Sequence, residues 1–91
     1  MVTLLFTCRV ADYETWRPLY ESSMSAAPPV LTWRLWQSQD DPNLVFMAET
    51  FESREIAEEI LASDEIQQEM ADHGVDASTI QYWFVDAVSE G

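Results

Sequence analysis

Lysine is missing altogether from this 91-residue chain; histidine and cysteine occur once each, at His73 and Cys8, and glycine only at Gly74 and Gly91. Each shortage excludes something. Without lysine, four arginines (Arg9, Arg17, Arg34, Arg54) face 17 acidic residues, for a net charge of −13. Such a chain has no basic face with which to neutralise phosphates, so no nucleic-acid partner and no membrane-surface partner is expected. A lone cysteine cannot form an internal disulfide and fits a reducing compartment. One histidine and one cysteine fall short of the roughly three or four ligands that a zinc site collects, so no metal is expected. Glycine is too scarce for a phosphate-cradling loop, and no nucleotide cofactor is expected. No apolar run approaches the ~20 residues of a membrane span, and no basic leader precedes the first strand-like stretch, which points to a cytoplasmic protein.

What remains is rich in large apolar groups. Hydrophobic residues make up 47% of the chain and aromatics 12%, with four tryptophans, so a packed core rather than disorder is expected. Residues 1–91 form one domain, because the interior shows no linker, repeat or low-complexity tract.

Val2 to Val10 alternates Leu4, Phe6, Cys8 and Val10 with Thr3, Leu5, Thr7 and Arg9, the period of a strand. Asp12 is placed to cap a helix whose Tyr13, Trp16 and Tyr20 recur at spacings of three and four. Pro18 lacks a backbone donor and should bend or restart that helix, and residues 22–29, with two prolines at their end, should stop it. Val30 to Gln37 and Leu44 to Phe51 read as a hairpin around the turn Ser38 to Asn43, with Trp33 and Leu35 opposite Arg34 and Trp36.

The longest helical stretch runs from Phe51 to Val75. Ser53 caps it, and Ile56, Ala57, Ile60 and Leu61 share one stripe, whereas Ile66 and Met70 fall on another. Ser63, followed by Asp64 and Glu65, has the pattern of a second cap, so two helical pieces should meet there, the second from about Asp64 to His73. Gly74 stands where a helix-ending glycine belongs, with Val75 as its apolar contact. Thr79 to Val88 reads as the last strand.

The order β-α-β-β-α-β is the ferredoxin-like split plan of the α+β class: a four-stranded antiparallel sheet with two helices on one face. Helices on one face leave the other bare. Whichever alternation holds, that face carries Trp33 or Trp36, Phe46 or Met47, and Trp83 or Phe84. An apolar surface of that extent calls for a partner, and a two-fold homodimer stacking sheet on sheet supplies one.

Several stretches resemble the dimeric α+β barrel superfamily, which contains the antibiotic biosynthesis monooxygenase-like proteins: Val10-Ala11-Asp12-Tyr13 followed by Trp16, the turn Asp41-Pro42-Asn43, and Ala62-Ser63-Asp64-Glu65 leading to Met70 and Gly74-Val75. The resemblance implies a dimeric α/β barrel and, in each subunit, a pocket between sheet and helices for a lipophilic small molecule, fatty-acid-like or aromatic. It also implies an alternative, a cofactor-independent monooxygenase or polyketide-cyclase-like enzyme, and a third reading, from another class, is a structural or accessory dimer with a filled core and no pocket. Haem-degrading relatives use an Asn on the first strand and a Trp on the second helix. Neither stands here.

The residue types add candidates to that frame. Trp16, Tyr20, Trp33 and Phe46, with Met24, Ile66 and Met70, are the flat rings and flexible chains that line adaptable apolar pockets, and they are equally core material. Arg34 is a candidate receptor for a ligand carboxylate or enolate, or else, like Arg9, an ion-pair partner of Glu49. His73, near a helix end, and Tyr20 are the candidate proton carriers, and Cys8 reads as a buried, unreactive thiol. The helical piece that holds Ile66, Met70 and His73 is a candidate lid.

Overall fold

The computed structural model describes residues 1–26 and 29–91. Its elements are β1 (Val2–Val10), α1 (Tyr13–Ala26), β2 (Val30–Gln37), β3 (Leu44–Phe51), α2 (Arg54–Ala62), α3 (Asp64–Asp72) and β4 (Val75–Val85). The strands form one four-stranded antiparallel sheet in the order β2-β3-β1-β4, the ferredoxin-like arrangement read from the sequence.

The alternation in β1 decides which face is the core. Leu4, Phe6, Cys8 and Val10 are buried, and the register Leu4↔Glu49, Phe6↔Met47, Cys8↔Val45 puts the matching residues of β3 on the same side. Tyr13, Trp16 and Tyr20 of α1 close over this surface, with Trp33 and Leu35 of β2 packed against them. A second cluster of Leu4, Phe51 and Ala57 seats α2. Burying aliphatic and aromatic side chains of this size gives about 1.5–3 kcal/mol each, and both helices are held to the sheet in this way.

The caps follow the sequence. Asp12 accepts the Thr15 amide at 3.0 Å. Ser53 caps α2, accepting the Ile56 amide at 3.3 Å. Ser63 serves both neighbours: its amide donates to the Ile60 carbonyl of α2 at 3.1 Å, while its hydroxyl accepts the Ile66 amide of α3 at 3.4 Å. The helix therefore breaks at the predicted residue. Asn43 ties the hairpin to α1, since its carbonyl accepts the Val10 amide at 2.8 Å and its side chain the Tyr13 amide at 3.0 Å.

Two expectations change. Pro18 lies inside one uninterrupted helix instead of restarting it; its fixed φ is a helical value, and the residue stands on the exposed side of the helix. The stop expected over residues 22–29 falls partly on positions 27 and 28, outside the described residues. The last strand starts four residues early and ends three early. Gly74, at φ +87°, turns the chain directly into the sheet, where its carbonyl accepts the Ala11 amide at 2.8 Å. Val75 then pairs with Val10 and Asp76 with Arg9, and the register shifts after Asp76 before regular pairing resumes at Gln81↔Thr7. That irregularity, with Asp76 accepting the Ser78 amide at 3.0 Å, disguises the strand in the sequence.

Candidate functional site

Between α1, α3 and the inner face of the sheet lies a cavity of about 550 Å³. Its floor is built from alternate strand residues, Leu4, Phe6 and Cys8 of β1 with Met47, Glu49 and Phe51 of β3. Trp16, Tyr20 and Met24 of α1 form one wall, and Ile66, Met70 and His73 from the α3 segment form the other. Exposed Ser22, Ala26 and Pro29 mark its solvent side. The cavity exists because α3 carries no buried residue of its own and touches the core only through partly buried side chains such as Met70. The break at Ser63 redirects the chain away from the tight packing of Ala57.

One polar pair stands out in this apolar setting. The buried Tyr20 hydroxyl donates to Glu49 Oε2 at 2.7 Å. Glu49 occupies the inner face of β3 between Met47 and Phe51, so its carboxyl projects among apolar groups. Burial pushes its pKa above the usual glutamate range and outweighs the opposing effect of the Tyr20 hydrogen bond. Burial, reinforced by the nearby Glu49 charge, also raises the Tyr20 phenol well beyond its ordinary value. Tyr20 is fixed by its neighbours: its ring stacks on Trp16 at 4.9 Å and meets Trp33 edge-on at 5.8 Å. Cys8 is buried and free, and desolvation pushes its thiol up to about 11, which keeps it protonated and poorly nucleophilic. Ser23 at the end of α1 donates to Glu69 Oε1 at 2.8 Å, a bond that joins α1 to α3 across the cavity.

The candidate residues divide by face. Trp16, Tyr20, Met24, Ile66, Met70 and His73 converge on the cavity. Trp33 stands behind Tyr20 and supports its ring without lining the space. Arg34 and Phe46 point to the opposite, open face, where Arg34 lies opposite Ala48 and Trp36 opposite Phe46. His73 ends α3, its amide donating to the Glu69 carbonyl at 3.0 Å. Glu49 is the partner of neither arginine considered for it: Arg9 pairs with Asp41, and Arg34 projects from the other side of the sheet. The role of Glu49 inside the cavity was missed, although a signal was present, an acidic residue in phase with Val45, Met47 and Phe51 on an otherwise apolar strand face.

The open face carries Leu5 (37% exposed), Phe46 (42%), Trp36 (47%) and Trp83 (51%). Among the described residues, no helix is long and apolar enough to cross a membrane.

No protein-family model matches the chain, and comparison with curated proteins gives no significant match. Solved structures do match over nearly its whole length. A crystal structure of an antibiotic biosynthesis monooxygenase aligns with a TM-score of 0.73 at 17% identity, covering 98% of this chain and 100% of that one. SnoaB from Streptomyces nogalater, a cofactor-independent oxygenase, aligns at 0.71 with 13% identity, covering 98% and 94%. A conserved protein from Methanosarcina mazei Go1 aligns at 0.65 with 13% identity, covering 90% and 89%. The fold is thus the ferredoxin-like one of antibiotic biosynthesis monooxygenase-like proteins. At these identities the likeness concerns the fold.

Proposed function

We propose that this protein binds a lipophilic small molecule, aromatic in preference to fatty-acid-like, in the cavity between helices and sheet. The observation that carries the proposal is the cavity itself. At about 550 Å³ it has the size of a small-molecule site, which commonly spans about 300–1,000 Å³, and it combines an apolar lining with very few polar groups. An accessory protein with a filled interior fits such a space poorly. The aromatic preference rests on the ring wall of Trp16 and Tyr20 and on the absence of arginine among the described lining residues, which leaves a fatty-acid carboxylate without a two-pronged guanidinium partner.

The working unit in this proposal is a cytoplasmic homodimer in which the open faces stack, covering Leu5, Trp36, Phe46 and Trp83. A second reading, a cofactor-independent oxygenase or cyclase, is favoured by the Tyr20–Glu49 pair. A carboxylate made more basic by burial, beside a substrate acidic enough to lose a proton, is suited to start such a reaction, with His73 as a further proton carrier.

Native mass spectrometry of the purified protein tests both parts. The expected species is a dimer of twice the 10.5 kDa chain mass that takes up one 2-methoxynaphthalene per subunit, with Ile66→Trp, which fills the cavity, abolishing uptake. A bare monomer would remove the dimer, and absence of any bound aromatic would remove the pocket reading. Oxygen consumption with phenolic substrates separates enzyme from binder; turnover lost on Glu49→Gln would establish the enzyme, and no turnover across several phenols would leave the binder.

A further inference from the structure

Glu49 has two carboxyl oxygens and one protein partner. Oε2 accepts from Tyr20, while no hydrogen bond to Oε1 is found among the described residues. No buried side-chain oxygen or nitrogen among them lacks a partner, so Oε1 retains accessible surface, and Glu49 is a lining residue of the cavity. None of the four arginines answers it. Arg9 is engaged by Asp41, Arg17 by Glu21 at 2.9 Å, and Arg54 by Glu58 at 2.7 Å, while Arg34 projects from the open face. The titratable groups that share the cavity with Glu49 are Tyr20 from α1, Cys8 from β1, and Glu69 and His73 from the α3 segment.

A partly desolvated carboxylate oxygen without a partner carries a large penalty, and whatever fills the space next to it must donate a hydrogen to relieve it. A second carboxylate would meet Glu49 and Glu69 together. An ammonium would bring its own desolvation cost into a lining that is otherwise mostly apolar. A neutral hydroxyl carries neither cost, and its hydrogen bond to a charged acceptor is of the stronger kind. We propose that Glu49 is the specificity-determining residue of the cavity: its free oxygen accepts a hydrogen bond from the hydroxyl of a neutral aromatic ligand, a phenol or aryl alcohol, and it turns carboxylates away. This inference rests on the pocket reading above and adds the ligand's chemical class to it. Tyr20 is the positioning residue, since its hydroxyl occupies Oε2 and its ring, held by Trp16 and Trp33, fixes where Oε1 points.

Calorimetric titration at pH 7.5 with 2-naphthol, 2-methoxynaphthalene and 2-naphthoate tests it. The three probes share a ring system and differ at one substituent: a donor, an acceptor only, and an anion. The wild-type chain is expected to bind the naphthol about tenfold or more tightly than the ether, and the naphthoate most weakly. Glu49→Gln keeps an oxygen for the Tyr20 hydroxyl and turns an amide NH₂ toward the ligand, so the order should move the other way: the naphthol-to-ether preference falls at least about fivefold and naphthoate binding strengthens. A gain of naphthoate binding cannot come from a misfolded variant. Naphthol and ether binding within about threefold of each other in the wild type would overturn the inference and leave the pocket standing. So would an unchanged preference in Glu49→Gln. Failure of all three probes to bind would overturn the inference and the pocket together.

Discussion

Tyr20→Phe isolates the hydrogen bond on which the candidate site turns. The substitution keeps the ring, its stacking on Trp16 at 4.9 Å and its edge contact with Trp33 at 5.8 Å; only the hydroxyl that donates to Glu49 Oε2 at 2.7 Å is lost. Hydrogen bonds to charged groups contribute about 1.5–3 kcal/mol, so with Glu49 in its ionised form, the form that pH 8 favours over pH 4, the variant is expected to lose that much stability. For a chain of this size the loss corresponds to a fall in melting temperature on the order of 10 °C. The sign of the pH dependence follows from which form the bond favours. Tyr20 holds the Glu49 pKa down against burial, which raises it, so the charge-specific part of the bond's contribution is present above the folded-state pKa and fades as pH falls through it. Near pH 4, below that raised pKa, the cost of Tyr20→Phe should shrink to that of a neutral bond, about 1 kcal/mol. In a Glu49→Gln background it should be equally small at both pH values. Urea denaturation followed by tryptophan fluorescence measures all four chains. Protein must be kept dilute and equal in concentration, because the pI of about 4.1 lies beside the lower pH and any self-association links stability to concentration. A cost that is the same at both pH values and in both backgrounds would refute the coupling between the two side chains.

Two further predictions concern the segments that frame the cavity. Gly74→Ala puts a side chain at φ +87° with its Cβ 3.3 Å from Ala11 Cβ; a loss of about 1–2 kcal/mol is expected in urea denaturation, with Gly74→Asn less costly because asparagine tolerates the left-handed region. An alanine variant as stable as the wild type would show that the turn into β4 adjusts freely. Ser23→Ala breaks the bond to Glu69, which ties α3 to α1; since α3 has no buried residue, amide exchange should accelerate over residues 64–72 and stay unchanged over 54–62. Equal protection of α2 and α3 in both chains would remove the idea of α3 as a lid.

Most of the fold was readable because local chemistry and global arrangement agree. Asp12, Ser53 and Ser63 cap the helices they precede, Gly74 adopts the positive φ its position demands, and the strand alternation of β1 and β3 matches the buried face. The misreading of β4 has a local cause. Asp76 and Ser78 bond to each other at 2.7 Å as turn residues do, and nothing in that tetrapeptide announces that Val75 is already paired with Val10. The open face was legible only as a pair of alternatives. The register resolves it into Leu5, Trp36, Phe46 and Trp83, and so separates Phe46 from the cavity and Trp33 from the surface.

The site was less legible, for a different physical reason. Aromatic and methionine residues announce a pocket and a core in the same way, so Trp16, Met24 and Met70 were candidates on composition, whereas Arg34 was a candidate on charge alone. Charge proved the weaker guide here, because a strand places neighbours on opposite faces: Arg34 beside Trp33 lies on the far side of the sheet, while Glu49, two residues from Met47, lies on the near side. The polarity of the cavity is therefore set by an acceptor where the sequence suggested a cationic donor. That reversal is what moves the proposed ligand from an anion to a hydroxyl compound. It also gives the acidic composition a local consequence, since Glu49 and Glu69 face the same space without an arginine among the described residues that line it. In the proposed mode of binding, a ligand that enters either supplies a hydrogen to Glu49 or leaves a desolvated carboxylate oxygen unanswered, and the second outcome gives up part of what the apolar contacts of an aromatic ring contribute, which is why the ether is expected to bind more weakly than the naphthol.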